Sequence, residues 1–527
     1  MKNAKLILFL LLFAIIVIPF VFGGGRSGSS QSGSAGNEFL KLTIGLETPN
    51  LDVNSDVWAR YWNDKFNFEW EIIPLPSQRG HEMLRIWASA GDLPDVSGSA
   101  TYNQPEISAW ADQGMIYKLP NNWRSRWPTV SKVQADTLAD KYVEDLLGGS
   151  YLLLQPVFAN NKPVERLINH WGVWYRADWA RAVGMEAKFS YTTTELLELA
   201  RRIKNQDPGK VGNALVPISI PTSLLALVFV APNSLYTNEW AQFYKDASGQ
   251  YQWGPAHPDT LTGLKYWRQA YDEGLLHREF YTLPSGRDNE GDLNTRGIAG
   301  INMAAGMASV ASRYATFMRA NLNVEPAEAL GFAFILNDKG KANTTEILNF
   351  YGYKMFNPKI PQNKFERLMD IFDFASTEEG NNLIRLGFEG VDWRREANGD
   401  ITGLLPEDMV VHQKYNSIQP LYTSLLVRPD DFGIVNPTIP QRWRDLGRNV
   451  YIQKTAMTDK DHFAPLDYDS YFYDSPARAR MVMNLPQEYA GIVLAGPNVE
   501  ANFNAWVNEK MALVRPVLSE LNNLRRR

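Results

Sequence analysis

No cysteine occurs anywhere in this 527-residue chain. Disulfides, thiol nucleophiles and thiolate metal sites are excluded, and so is a lipid anchor attached through a cysteine. Long apolar runs are nearly absent too. One, Leu6–Phe22, opens the chain, and no second stretch approaches the ~20 residues that cross a bilayer. Excess positive charge is lacking: 53 Lys and Arg face 58 Asp and Glu, and the one basic cluster is the terminal Arg525–Arg527. A nucleic-acid partner, which wants a basic footprint, is therefore not expected. The six histidines are scattered, and "GHEML" around His81 lacks the second histidine of a zinc-binding helix. There is no Gly-x-Ser-x-Gly elbow and no phosphate-binding loop of the Gly-x4-Gly-Lys type. Gly23, Gly25 and Gly28 spell Gly-x-Gly-x-x-Gly, but no strand precedes them and no helix follows, so the pattern has no dinucleotide to hold. Glu378–Glu379 could be imagined as a glycosidase pair. Adjacent acids opening a helix more often complement its dipole. The sequence points away from an enzyme and names no cofactor.

What is present begins with Lys2, Lys5 and the apolar run, followed by a Gly/Ser-rich stretch to residue 37. A basic start, an apolar core and small residues describe an export signal, with residues 1–23 as signal peptide and 24–37 as linker. The linker position that would carry a lipid in a lipoprotein is Gly24. The expected location is periplasmic or on the outer face of the cytoplasmic membrane, not as a lipoprotein; a leader retained as an anchor is the alternative. The remainder, 45% hydrophobic and 21% charged over the whole chain, suits a water-soluble globular protein with a large core.

The body opens as strand, helix, strand, helix, strand. "LKLTIGLE" alternates apolar and polar residues, and "SDVWARYWNDKF" puts Val57, Trp58, Tyr61, Trp62 and Phe66 on one helical face with Ser55 or Asn54 as cap. "FEWEIIPL" reads as the next strand. "QRGHEMLRIWASAG" predicts a helix with Met83, Leu84, Ile86 and Trp87 inward and Gly91 closing it. "TTTELLELARRIKNQDP" carries capping-box spacing at Thr192 and Glu195 with Pro208 beyond its end. "LTGLKYWRQAYDEGLL" turns Trp267 inward, "ANGDITG" predicts a hairpin, and the C-terminal residues predict a long helix interrupted near Pro516. Alternation of strands and helices predicts mostly parallel sheets covered by helices.

Several stretches, in order, resemble one family. These are "WASAGDLPDV" (87–96), "DQGMIYKLPNNW" (112–123), "WGVWYRADWARAVGM" (171–185) with the capped helix after it, "AYDEGLLHREF" (270–280) and "STEEGNNLIRLGFEGVDW" (376–393). Together they resemble extracellular solute-binding proteins of bacterial ABC importers, in the oligosaccharide-binding branch that includes lipoprotein-like and alginate-binding members. The resemblance implies an α/β, two-lobe periplasmic-binding-protein clamp (type II-like), each lobe a mostly parallel sheet covered by helices, with hinge crossings. It places lobe 1 at 38–170, lobe 2 at 171–296, a return to lobe 1 at 297–395, and lobe 2 with C-terminal helices at 396–527. The first crossing is expected near Trp171–Arg176, and the return near Gly297–Met307, where small residues would let backbone approach a ligand or another strand closely. The chain departs from the calcium loop of alginate-type members: "DPGKVGNALVP" from Asp207 has too few acids, and no metal is expected.

The implied function is capture of an oligosaccharide between two lobes and its delivery to a membrane permease, by a monomer. The alternatives are an exported carbohydrate-active enzyme or a surface sugar sensor on the same fold. Sugar rings want flat aromatic platforms and convergent polar groups. The aromatic content, 12% with 16 Trp and 23 Tyr, fits that need. The candidate ligand residues are Trp171 and Tyr175 beside the first crossing, Glu389, Trp393 and Arg394 in the Gly-rich loop before the hairpin, and Tyr102 and Asn103 after a strand end, where open α/β sheets place ligands. Arg176 and Asp178 can equally form a structural ion pair. Trp58, Trp62, Trp87 and Trp267, on helical stripes, are assigned to the core. The net charge of −5 favours neutral glycans over polyuronates.

Overall fold

The computed structural model describes residues 38–524 apart from 47–51, 76–79, 100–101, 138, 157–167, 236–241, 284–288, 349, 407–408, 410, 419–432 and 435. The expected signal and linker lie outside the described residues. No helix among those described is long and apolar enough to cross a membrane.

Two five-stranded sheets dominate. The first takes β1 (Leu40–Leu46), β2 (Phe68–Pro74), β3 (Val96–Ser99), β4 (Leu153–Pro156) and β13 (Phe350–Phe356), in the order β2-β1-β3-β13-β4. The second takes β5 (Trp171–Arg176), β6 (Ser190–Thr192), β7 (Val216–Ile218), β10 (Ala299–Ala305) and β11 (Leu330–Leu336), in the order β6-β11-β5-β10-β7. Three two-stranded ribbons complete the set: β8 (Phe243–Lys245) with β9 (Tyr251–Trp253), β12 (Thr344–Thr345) with β16 (Phe463–Ala464), and β14 (Trp393–Arg395) with β15 (Ile401–Gly403).

Each large sheet is parallel except for one strand. β13 runs against both β3 and β4, and β5 runs against both β10 and β11. These two strands are the ones by which the chain enters each sheet from the other, which explains their direction. The chain leaves β4 at the C-terminal edge of the first sheet, arrives at the corresponding edge of the second, and must run away from it. The expected mixed α/β, two-lobe architecture is therefore present, with cores on both faces of each sheet. Leu42, Trp58, Trp62 and Phe372 pack on one face of the first sheet, and Leu84, Leu154 and Met355 on the other. Val173, Leu199 and Trp267 pack on one face of the second, and Trp174, Phe332 and Tyr451 on the other.

Local signals predict most elements. The capping box at Thr192 and Glu195 forms, and Asp207 closes that helix in a left-handed conformation. Gly91 follows the helix Gly80–Ala90 at φ +71°. Asp56, not Ser55 or Asn54, caps the helix Val57–Phe66 through the Ala59 N–H. Val57 and Ile86 lie on the solvent side of their helices at 50% and 48% exposure, because the buried stripes run through Trp58, Ala59 and Trp62 and through Leu84 and Ala88. The C-terminal helix, Val499–Leu524, runs unbroken through Pro516, where an interruption was expected.

The expected lobe boundaries need correction. β10 is a fully buried strand beside β5 in the second sheet, so the chain does not return to lobe 1 at Gly297–Met307. The small residues there serve packing. A Cβ on Gly300 would come within 2.8 Å of Ile203, and one on Gly306 within 2.8 Å of the His170 carbonyl oxygen. Entry into the first sheet waits for β13 at Phe350. Val411, Tyr415 and Ile418 still belong to the first-lobe core, and Phe472 returns to it between second-lobe segments. Nor is Trp171–Arg176 itself a crossing; it is the strand that follows one.

The crossings meet in a small knot. Ile168 bridges Glu346, β12 pairs with β16, and the Glu346 N–H donates to the Ala464 carbonyl at 2.9 Å. The helix Gln441–Met457 and the residue after it hold this knot from the second lobe. Lys454 Nζ donates to the Asn169 carbonyl at 2.5 Å, and the Thr458 hydroxyl donates to the Ala342 carbonyl at 3.0 Å.

Candidate functional site

Strand direction fixes which end of the second sheet faces the crossings. The C-terminal ends of β10 and β11 lie beside the start of β5, since Ala305 pairs with Trp171 and Ala333 with Val173. Open α/β sheets bind ligands at that edge. A cleft opens there, lined by Trp171, Met303, Phe334 and Ile335 from the strands, Leu227, Ala231 and Ser234 from the helix Thr222–Phe229 and its exit, and Asn169, Asn343, Thr344 and Lys454 from the crossings and their clamp.

Hydrogen bonds, one local and two between distant segments, hold Asn169, Lys454 and Asn343 in place. Asn169 Oδ1 accepts the Trp171 N–H at 2.8 Å, turning the chain into β5, while the Asn169 carbonyl takes the Lys454 ammonium. Asn343 Nδ2 donates to the Pro232 carbonyl at 2.9 Å, tying the second crossing to the helix exit. The hydroxyls of Ser234 and Thr344 are buried and have no partner among the described residues. Lys454 is only 7% exposed and its Nζ stands 5.0 Å from the centre of the Phe334 ring. Burial pulls its ammonium down to about 7. His170, next along the crossing and with its ring tilted against that of Tyr451, is held neutral: burial, then the nearby Lys454 charge, lowers it to about 3.

Of the candidates drawn from the sequence, Trp171 alone lines this cleft, half-buried with its body against the second-lobe core. Tyr175, two turns of the pleat further in, is a correction. Its ring lies in the core at 2% exposure, edge-on to Tyr191, and its hydroxyl donates to the Lys188 carbonyl at 2.8 Å; burial pushes its phenol far above the usual range. Trp393 is a second correction, at 4% exposure, with its indole N–H donating to the Gly387 carbonyl at 3.0 Å. An indole so enclosed offers no face to a sugar. Arg394 is exposed and paired with Glu396 at 2.8 Å, and Glu389 is exposed on the loop that bridges to Trp393.

On the first lobe, Tyr102 follows β3, but its ring sits edge-on among Phe350, Tyr353 and Phe472 and its hydroxyl donates to Gln104 Oε1 at 2.6 Å. Asn103 caps the helix Gln104–Asp112, accepting the Glu106 N–H at 3.2 Å. Both side chains are thus occupied in local structure. Arg176 and Asp178 form a bidentate pair at 2.8 and 2.5 Å, the structural alternative. At Asp207 both carboxylate oxygens accept backbone N–H groups, from Val211 at 2.8 Å and Gly212 at 2.7 Å. Among the described residues no group of three or more His, Asp or Glu is placed to share a metal.

Sequence reasoning missed Lys454, Ser234, Asn169 and Thr344. One signal was available: Val450, Tyr451 and Lys454 share a helical face, so a lysine sits where the stripe calls for an apolar residue.

No family model matches the chain, and no curated protein matches it by sequence. Solved structures do. The alginate-binding protein AlgQ2, in a structure without calcium ion, superposes with a TM-score of 0.67 at 16% identity, over 94% of this chain and 99% of that one. The ABC-transporter substrate-binding protein FusA of S. pneumoniae, in complex with kestose, gives 0.65 at 13% identity, over 92% and 98%. The N-glycan transport solute-binding protein NgtS of Streptococcus pneumoniae, in complex with Man5GlcNAc, gives 0.54 at 13% identity, over 92% and 96%. Over nearly its whole described length the chain thus shares the fold of these sugar-binding proteins of ABC transporters.

Proposed function

We propose that the chain is a non-catalytic extracytoplasmic receptor, acting as a monomer, that captures an oligosaccharide between its lobes and passes it to the permease of an ABC importer. The observation that carries this reading is Trp171: a half-buried indole in a largely apolar cleft that also holds buried polar groups, at the edge where open α/β sheets bind ligands and against the segments about which two lobes can close. An aromatic body with buried donors around it matches the C–H face and hydroxyl rim of a sugar. FusA and NgtS, which share the fold, are described with kestose and Man5GlcNAc bound.

The test is a thermal-shift panel of oligosaccharides followed by mass analysis of the recovered sugar. The reading expects a matching oligosaccharide to stabilise the protein by about 2.7 kcal/mol at a hundredfold excess over Kd, and to be recovered intact. Shortened products would make the chain an enzyme instead.

A further inference from the structure

Lys454 is an unusual residue for a neutral-sugar cleft. It reaches the cleft from the helix Gln441–Met457, is 7% exposed, and spends one N–H on the Asn169 carbonyl; the described residues accept nothing else from it. No carboxylate pairs with it among those residues, and none of the described lining residues is Asp or Glu. Two further donors, the hydroxyls of Ser234 and Thr344, line the same cleft, each at 4% exposure or less as a residue and each without a described partner. The neighbouring titratable ring, His170, faces Lys454 from the crossing and is neutral.

A buried ammonium without a counter-charge is costly, and it becomes favourable when an anion completes it. The two hydroxyls add donors of the kind that an oxygen-rich anion accepts, and a carboxylate has about four lone-pair sites to offer them. We propose that this cleft binds a sugar unit carrying an anionic oxygen group, a uronate carboxylate or a sulfate ester, with Lys454, Ser234 and Thr344 as its donors and Trp171 beside them. The inference rests on the receptor reading above and names its ligand class. It reverses the preference for neutral glycans drawn from net charge. Repulsion from an overall charge of −5 is screened beyond about 8 Å at physiological salt, whereas the Lys454 contact is direct and desolvated.

The experiment is calorimetric titration of the full chain with oligosaccharides matched in length, in three arms: neutral hexose, uronate-containing and O-sulfated. Wild-type protein should bind members of one anionic arm at least tenfold more tightly than their neutral counterparts, and the preferred arm identifies the anion. Lys454→Met, a near-isosteric change that removes the buried charge, should erase that preference in the folded protein. Equal affinity across the arms, or tighter binding of the neutral arm, overturns this inference and leaves the receptor reading standing. Preference retained in a folded Lys454→Met protein overturns it as well. Heat in none of the arms overturns both. The wild-type comparison decides the matter even if the variant fails to fold.

Discussion

An indole can stack on a sugar only where one of its faces is reachable, and that condition separates the tryptophans of this chain. Trp393 is enclosed, and its N–H is committed to Gly387. Trp393→Ala should therefore cost about 3–5 kcal/mol in denaturant unfolding and leave affinity unchanged in the protein that folds. The loop "GFEGVDW" misleads as a string because its glycines suggest a presented loop. In the fold Gly387, at φ +82°, makes room for the carboxylate of Asp392, which accepts the Phe388 N–H at 2.8 Å and the Tyr415 hydroxyl and pairs with Lys414. The motif is a latch. Such a role depends on Lys414 and Tyr415, more than twenty residues downstream of Asp392, and no local pattern reveals it. Trp87, by contrast, lies on a helical stripe yet is only partly buried, against the open side of Gly45. His170 sets a pH dependence whose sign is fixed. Its folded value near 3 lies below the ~6.5 of an unfolded imidazole, so between those limits the unfolded chain binds one more proton. Stability should fall as pH drops through that window, by up to about 1.4 kcal/mol per unit from this residue. Chemical denaturation of His170→Asn across pH 4–6 should show a shallower slope than wild type; parallel slopes would place the titration elsewhere.

Elements were legible where the information is local. Periodicity and caps locate β1, β2 and the helices at 57–66 and 193–206, because a turn of helix or a run of strand is specified by its own residues. Lobe membership was not legible in the same way. "GIAGINMAAGM" is a central strand of one sheet and would read alike in the other, and only its partners Val216 and Trp171–Tyr175 decide. Capping also acquires a tertiary part. Asp56 accepts the Ala59 N–H of its own helix and, from the far end of the lobe-1 sequence, the Ser417 hydroxyl at 2.6 Å. Asp56→Ala should thus lie at the upper end of the range of about 0.5–2 kcal/mol for losing a cap. Ser417→Ala should remove part of that loss, and a double-mutant cycle by thermal unfolding should show the coupling; strict additivity would refute it.

At the scale of the molecule, the knot formed by Ile168, Glu346, β12 and β16 is where two lobes with separate cores are joined, and the cleft at Trp171 lies against it. Ligand that touches both lobes favours the closed arrangement by its differential affinity for it. Small-angle scattering should accordingly register a smaller radius of gyration on saturation with the oligosaccharide found in the panel. The fold class could be anticipated from the ordered motifs, while the cleft's polar floor could not, since Asn169, Ser234, Thr344 and Lys454 converge from four separate parts of the chain. The most direct measurement is a calorimetric comparison of wild type and Trp171→Ala with that oligosaccharide. The account predicts one site per chain and a loss of at least tenfold in affinity, about 1.4 kcal/mol, with the variant still folded. Undiminished affinity in folded Trp171→Ala would contradict it.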